Sequence, residues 1–177
     1  MSAWIDEFIR DATNELKEKV ITSAVIEHYR GWLMLDYPYL RQIADNGGRM
    51  PIHLAPVIAR DYQVTRNLNL GLRHDESWME RNQRRMRFAA LLDAAAQNWP
   101  NSVDERAAAC VELSRLVVSE GLSSGNGMPA SAMTKLMWFL RPDGWTPFDK
   151  LASDAVLTDT FENAATRMTE FYAELQR

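Results

Sequence analysis

The sequence predicts an all-α fold, a single compact helical domain spanning residues 1–177, and three observations carry that expectation. Apolar residues recur three and four positions apart in segment after segment. Two serine–glutamate pairs, Ser77 with Glu80 and Ser102 with Glu105, have the spacing of capping boxes at the head of long helical runs. No stretch alternates apolar and polar residues as a half-buried strand does.

In chain order, Trp4, Phe8, Ala12 and Leu16 fall four apart with Ile5 and Ile9 beside them, which predicts a first helix with one buried stripe. A second helical segment runs from about Val20 through Leu35 and breaks near Asp36-Tyr37-Pro38. Tyr39 to Ala44 forms a short helix that ends in the turn Asn46-Gly47-Gly48. Pro51 to Tyr62 is helical, with a kink or fresh start at Pro56. Gln63 to His74 lacks a clear period, and Asn67-Leu68-Asn69-Leu70-Gly71 reads as a loop. The strongest helix covers Ser77 to Asn98, and a second capped helix covers Ser102 to Glu120 and stops at Gly121. Ala130 to Leu140, Phe148 to Leu157 and Asp159 to Leu175 complete the set.

Composition narrows the setting. A single cysteine, Cys110, rules out an internal disulfide and suits a reducing, cytoplasmic environment. Met1 to Arg10 is amphipathic rather than a basic start followed by an apolar run, so no secretory leader is expected. No apolar run approaches the roughly 20 residues of a membrane span, and no membrane partner is expected. The net charge of −4 argues against a generally basic nucleic-acid binder. Its distribution is uneven: residues 60–87 hold seven Arg against four acidic residues, whereas residues 151–177 hold two basic and five acidic ones.

Chemistry concentrates between Leu122 and Asp149. A loop of Ser123, Ser124, Gly125, Asn126 and Gly127 runs through Pro129 into an apolar helix whose one charged residue is Lys135. A glycine-rich turn opening a helix leaves backbone N–H groups and the positive end of the helix dipole facing an anion. Two turns follow, Arg141-Pro142-Asp143-Gly144 and Trp145-Thr146-Pro147-Phe148, before Asp149. The loop serves equally as a plain linker, Lys135 as a solvated surface lysine, and Asp149 as the N-cap of the helix through Ala155. Arg81, Arg84 and Arg85 share one helix face and suit contacts to a phosphate backbone, or a solvated face in which Glu80 pairs with Arg84. His28, His53 and His74 are scattered without a metal-ligand pattern, so neither metal nor cofactor is expected. Cys110, inside a run of Ala and Val, reads as buried and inert. Phosphate-binding P-loops, dinucleotide fingerprints and serine-hydrolase elbows are missing from the sequence.

The run Ser131-Ala132-Met133-Thr134-Lys135-Leu136-Met137-Trp138-Phe139-Leu140-Arg141-Pro142-Asp143, continued by Trp145-Thr146-Pro147-Phe148-Asp149, resembles a segment of small helical proteins related to the helix-hairpin-helix DNA glycosylases. The resemblance covers about 30 of 177 residues. It departs from the family in two places: Lys135 follows Gly127 by eight positions rather than one or two, and Lys150 stands where relatives have a small residue. The likeness implies a helix-hairpin-helix glycosylase-like fold that binds DNA and excises a modified or damaged base; a small, divergent, stand-alone relative of that kind would serve repair or defence against phage whose DNA carries modified bases. It puts Asp149 at the catalytic aspartate, Lys135 at the lysine position, and Gly125 and Gly127 on the turn that grips phosphates. Ser123, Ser124, Asn126, Ser131, Arg81, Arg84, Arg85 and Arg141 would join them on the DNA backbone. Base excision needs an aromatic or apolar surface for the extruded base, and Trp145 and Phe148 are the candidates, with Trp145 expected to be exposed. Trp138 and Tyr62 are also available, although tryptophans at helical spacing usually belong to a core. The alternative is a non-catalytic helical module that binds protein or nucleic acid.

Overall fold

The computed structural model describes residues 18–19, 22–23, 25–27, 30–71, 74–125, 127–148, 153–154, 156–157 and 164–176. Every regular element among them is helical. Two compact units divide the chain, Met1–Pro38 and Tyr39–Arg177. The predicted helix over Trp4 to Leu16 lies outside the described residues.

In the first unit the described residues between 18 and 31 are helical, and the backbone then widens into a π-helical turn, Trp32–Asp36. The predicted break at Asp36-Tyr37-Pro38 is this turn rather than an interruption. The N–H of Tyr37 bonds to the carbonyl of Trp32, and both flanking residues keep right-handed helical angles. Helix α1 (Tyr37–Asp45) follows at once, so the helical path runs on through Pro38.

Among the described residues, five further helices build the core of the second unit. Helix α2 (Leu54–Asp61) starts three residues later than Pro51, so Pro56 falls in the first turn and need not kink the helix. Helix α3 (Trp78–Gln97) begins at the expected box: Ser77 Oγ accepts from the Glu80 N–H at 3.2 Å and the Glu80 carboxylate accepts from the Ser77 N–H at 2.8 Å. Helix α4 (Val103–Ser119) opens at Ser102, whose hydroxyl accepts from the Glu105 N–H at 3.3 Å and donates to its carboxylate at 2.7 Å. It closes on Gly121, at φ +66°, with Leu122 and Gly121 donating to Val117 and Val118 in a Schellman pair.

Helix α5 (Ala130–Leu140) is the centre of this unit and packs against α2, α3, α4 and the C-terminal helix α6 (Ala164–Leu175). Its sequence explains that position. Ala130, Ala132, Met133, Thr134, Leu136, Met137, Phe139 and Leu140 are buried, which leaves only Ser131, Lys135 and Trp138 partly open. Those three are spaced four and three apart and so share one face. Met168, Phe171 and Tyr172 of α6 close the core from the other side. Cys110 is fully buried, and that burial pushes its thiol well above the usual range, so it is inert as expected. No helix among the described residues is long and apolar enough to cross a membrane.

Candidate functional site

Two structural features collect nearly all the residues singled out in the sequence. The first is a clamp on the backbone just before Asp149. Ser131 Oγ donates to the Phe148 carbonyl at 3.1 Å, and Thr134 Oγ1 accepts from the Phe148 N–H at 3.1 Å. Thr134 is fully buried and also donates to the Ser131 carbonyl at 3.1 Å. The Tyr172 hydroxyl closes the network by donating to the Thr146 carbonyl at 2.7 Å. Burial drives that phenol far above its ordinary range, the Cys110 thiol adds to the rise, and hydrogen bonding to Thr134 and the Phe148 backbone opposes it. The first two turns of α5 thus hold both the N–H and the carbonyl of Phe148. Asp149, the next residue, lies outside the described set, as do Lys150 and Asn126.

Lys135 stands one helical turn beyond Ser131 on the same face of α5. Its ammonium donates to the carbonyl of Tyr62 at 3.5 Å, which places a cation at the C-terminal end of α2. Lys135 is half-buried, which disfavours the alternative of a fully solvated surface lysine.

The aromatic candidates are packed. Phe148 is only 4% exposed and meets Phe171 edge-on, with ring centroids 5.5 Å apart. Trp145 is half-buried rather than exposed: it lies near Trp99 at 5.2 Å and Tyr172 at 6.0 Å, and its Nε1 donates to the Arg141 carbonyl at 2.6 Å. The turn residues Gly144 and Pro147 suggested exposure because partners 46 and 27 positions away in the chain leave no local signal. Arg141 itself donates to the Leu140 carbonyl at 2.6 Å and borders a cavity of about 280 Å³ with Arg106, Trp99 and Asp143.

The second feature is a strap, residues 65–71, that begins with a 3₁₀ turn, Thr65–Asn67. The Gly/Ser loop fastens one edge of it. Leu68 and Ser123 form an isolated antiparallel bridge, the Asn69 N–H donates to the Leu122 carbonyl at 2.8 Å, and the Ser124 N–H donates to Asn67 at 3.3 Å. Ser124 Oγ donates to the Arg66 carbonyl, and Ser123 Oγ to Gly125 within its own loop at 3.3 Å. Gly125, at φ +80°, supplies the left-handed residue this turn needs; both it and Gly127 remain exposed.

Arginines of α3 fasten the other edge. Arg84 is buried and forked onto Glu76, with Nη2 to Oε2 at 2.8 Å and a second bond from Nη1 to Oε1. It also donates to the carbonyls of Asn69 and Gly71. Arg85 Nε donates to the Leu70 carbonyl at 2.9 Å. Residues expected to meet DNA phosphates are therefore brought together, but Ser124 and Arg84 direct their donors at the strap's own carbonyls. Arg84 pairs with Glu76 rather than Glu80, whose carboxylate is occupied by its capping box.

Arg81 and Arg85 differ from Arg84. Neither makes an ion pair with a described residue, and the Nε of Arg81 is buried without a hydrogen-bond partner. Partial burial first, then the charges of Arg81 and Arg84, hold Arg85 below its ordinary proton affinity. Among the described residues, Arg81 and Arg85 thus lack an ion-pair partner beside the matched Arg84–Glu76 pair. One further acid escaped the sequence reading. Asp93, buried in the Ala-rich half of α3, accepts from the Met50 N–H at 2.8 Å and from Arg49 at 3.2 Å. No group of three potential metal ligands occurs among the described residues. Comparison with known proteins yields no matching family model, no matching curated protein and no matching solved structure.

Proposed function

We propose that this chain is a DNA N-glycosylase of helix-hairpin-helix-like type that hydrolyses the bond between a modified or damaged base and deoxyribose. One observation carries the reading: a single face of α5 holds Lys135 and, through Ser131, the carbonyl of Phe148, the residue joined to Asp149. The residue before Asp149 is thereby fastened to the helix face that carries Lys135, although Phe148 and Lys135 stand thirteen positions apart in sequence.

In this mechanism the departing base leaves positive charge on the sugar, and Asp149 stabilises that charge and takes a proton from the attacking water. A rigid backbone at Phe148 favours the role, because a carboxylate must be held within a fraction of an ångström to act. Lys135 donates to the Tyr62 carbonyl, and an ammonium so engaged is a poor nucleophile. That favours water as the attacking group, with Lys135 aiding as a positive charge. Arg81 and Arg85 supply unmatched charge for the DNA backbone.

The test uses purified protein and duplexes carrying a panel of damaged and naturally modified bases. Wild-type protein is expected to leave alkali-labile abasic sites in at least one duplex, Asp149→Asn to bind that duplex but cut it at least a hundredfold more slowly, and borohydride to trap no adduct. Equal cutting by Asp149→Asn, or no cutting of any duplex by the wild type, refutes the reading. The use of Ser124 and Arg84 within the fold favours a second reading, a non-catalytic helical binding module. Silence of the whole panel together with retained duplex binding is its signature.

A further inference from the structure

A cavity of about 390 Å³ lies between α2, the strap and α3, a size typical of a small-molecule site. Val57, Leu68 and Leu70 give it apolar walls. Arg85, His53 and Thr65 supply its polar groups, together with Arg60, which already pairs with Asp61 at 2.8 Å. His53 also borders a second cavity, of about 560 Å³, on the Arg49–Asp93 side.

Arg85 is the group that gives the cavity a chemistry. Its Nε is fixed on the Leu70 carbonyl, so the orientation of the guanidinium is set by the strap. Its remaining N–H groups have no carboxylate partner among the described residues, while Arg81 and Arg84 stand close enough to repel its charge. Glu76, the nearby acid, is forked onto Arg84. Among the described residues neither Arg85 nor Arg81 has an ion-pair partner, so positive charge is left beside the Arg84–Glu76 pair in partly desolvated surroundings, a field that a dianion relieves better than a monoanion.

We propose that this cavity binds a phosphomonoester carried on a flat or apolar body, with Arg85 gripping the phosphate and Val57, Leu68 and Leu70 receiving the body. Thr65 and His53 supply further hydrogen bonds at the rim. This binding does not depend on base excision, so either proposal can fail while the other stands.

Calorimetric titration of the full chain with deoxyadenosine 5′-monophosphate, deoxyadenosine and inorganic phosphate tests it. The monophosphate should bind at least tenfold more tightly than either the nucleoside, which lacks the anion, or inorganic phosphate, which lacks the body. Arg85→Gln should lower monophosphate affinity at least tenfold and leave the weak nucleoside binding unchanged. Arg81→Gln, which leaves the strap bond of Arg85 intact, should give a smaller loss and serves as the control if Arg85→Gln unfolds. Equal affinity for nucleoside and monophosphate, no monophosphate binding at millimolar concentration, or unchanged affinity in both variants overturns the proposal.

Discussion

Arg84 and Arg85 are neighbours in one helix, both donate to carbonyls of one strap, and yet they live in opposite electrostatic worlds. Arg84 is buried, forked onto Glu76 and bonded to two strap carbonyls. Arg85 makes a single strap bond and faces a cavity with no acid to match it. A one-residue step around a helix is about 100°, enough to turn one side chain under the strap and the other towards its open side. The comparison teaches that charge in a sequence is not charge at a surface. The run Arg81-Asn82-Gln83-Arg84-Arg85 looks uniformly basic, and the fold divides it into an ion-paired arginine, Arg84, and two, Arg81 and Arg85, without an ion-pair partner among the described residues, of which Arg85 lines a cavity.

The sharpest way to break that contrast is Glu76→Ala. It strands the buried Arg84 charge and should destabilise the protein by about 3–5 kcal/mol in denaturant unfolding, the usual cost of halving a buried ion pair. Arg85→Met removes one backbone hydrogen bond and no ion pair, so about 1 kcal/mol is expected from the same measurement. Equal losses would show that the two arginines are both fasteners. The Gly/Ser edge of the strap is probed by Gly125→Ala. A methyl group there meets nothing within 4 Å, so only the left-handed backbone resists, by about 1–2 kcal/mol. The smallest effect has the opposite sign. Gln63, at φ +57°, ends α2 in the left-handed conformation, with Val64 and Gln63 donating to Ala59 and Arg60. Gln63→Gly should relieve that strain and raise stability by up to about 1 kcal/mol, read as a higher denaturation midpoint.

Gln63 also marks where the sequence stopped being legible. Helix ends written in local chemistry were readable: Ser77 with Glu80, Ser102 with Glu105, and the glycine at 121 all act where their spacing predicts. The end of α2 carries no glycine, so the strap that follows has no visible start. The π turn at Trp32–Asp36 was hidden for a related reason, since a proline two residues on looks like a break although the helical path continues through it. The all-helical class and the apolar face of α5 follow from periodicity alone. What periodicity cannot supply is the set of partners distant in sequence: Glu76 for Arg84, Tyr62 for Lys135, Trp99 and Tyr172 for Trp145. Serines and arginines drawn to phosphate by their chemistry are drawn equally to carbonyl oxygens of a nearby strap, and only packing decides between them.

The clamp on Phe148 is the centre of the account, and a double-mutant cycle measures it directly. Thr134→Val removes the acceptor for the Phe148 N–H with little change in volume. Single-turnover base excision is to be followed in wild type, Thr134→Val, Asp149→Asn and the double variant, at a temperature where all four are folded. If the clamp works by holding Asp149, Thr134→Val slows excision in the wild-type background and adds nothing once Asp149 is gone. Losses that simply multiply, or a Thr134→Val variant that cuts at the wild-type rate, contradict it.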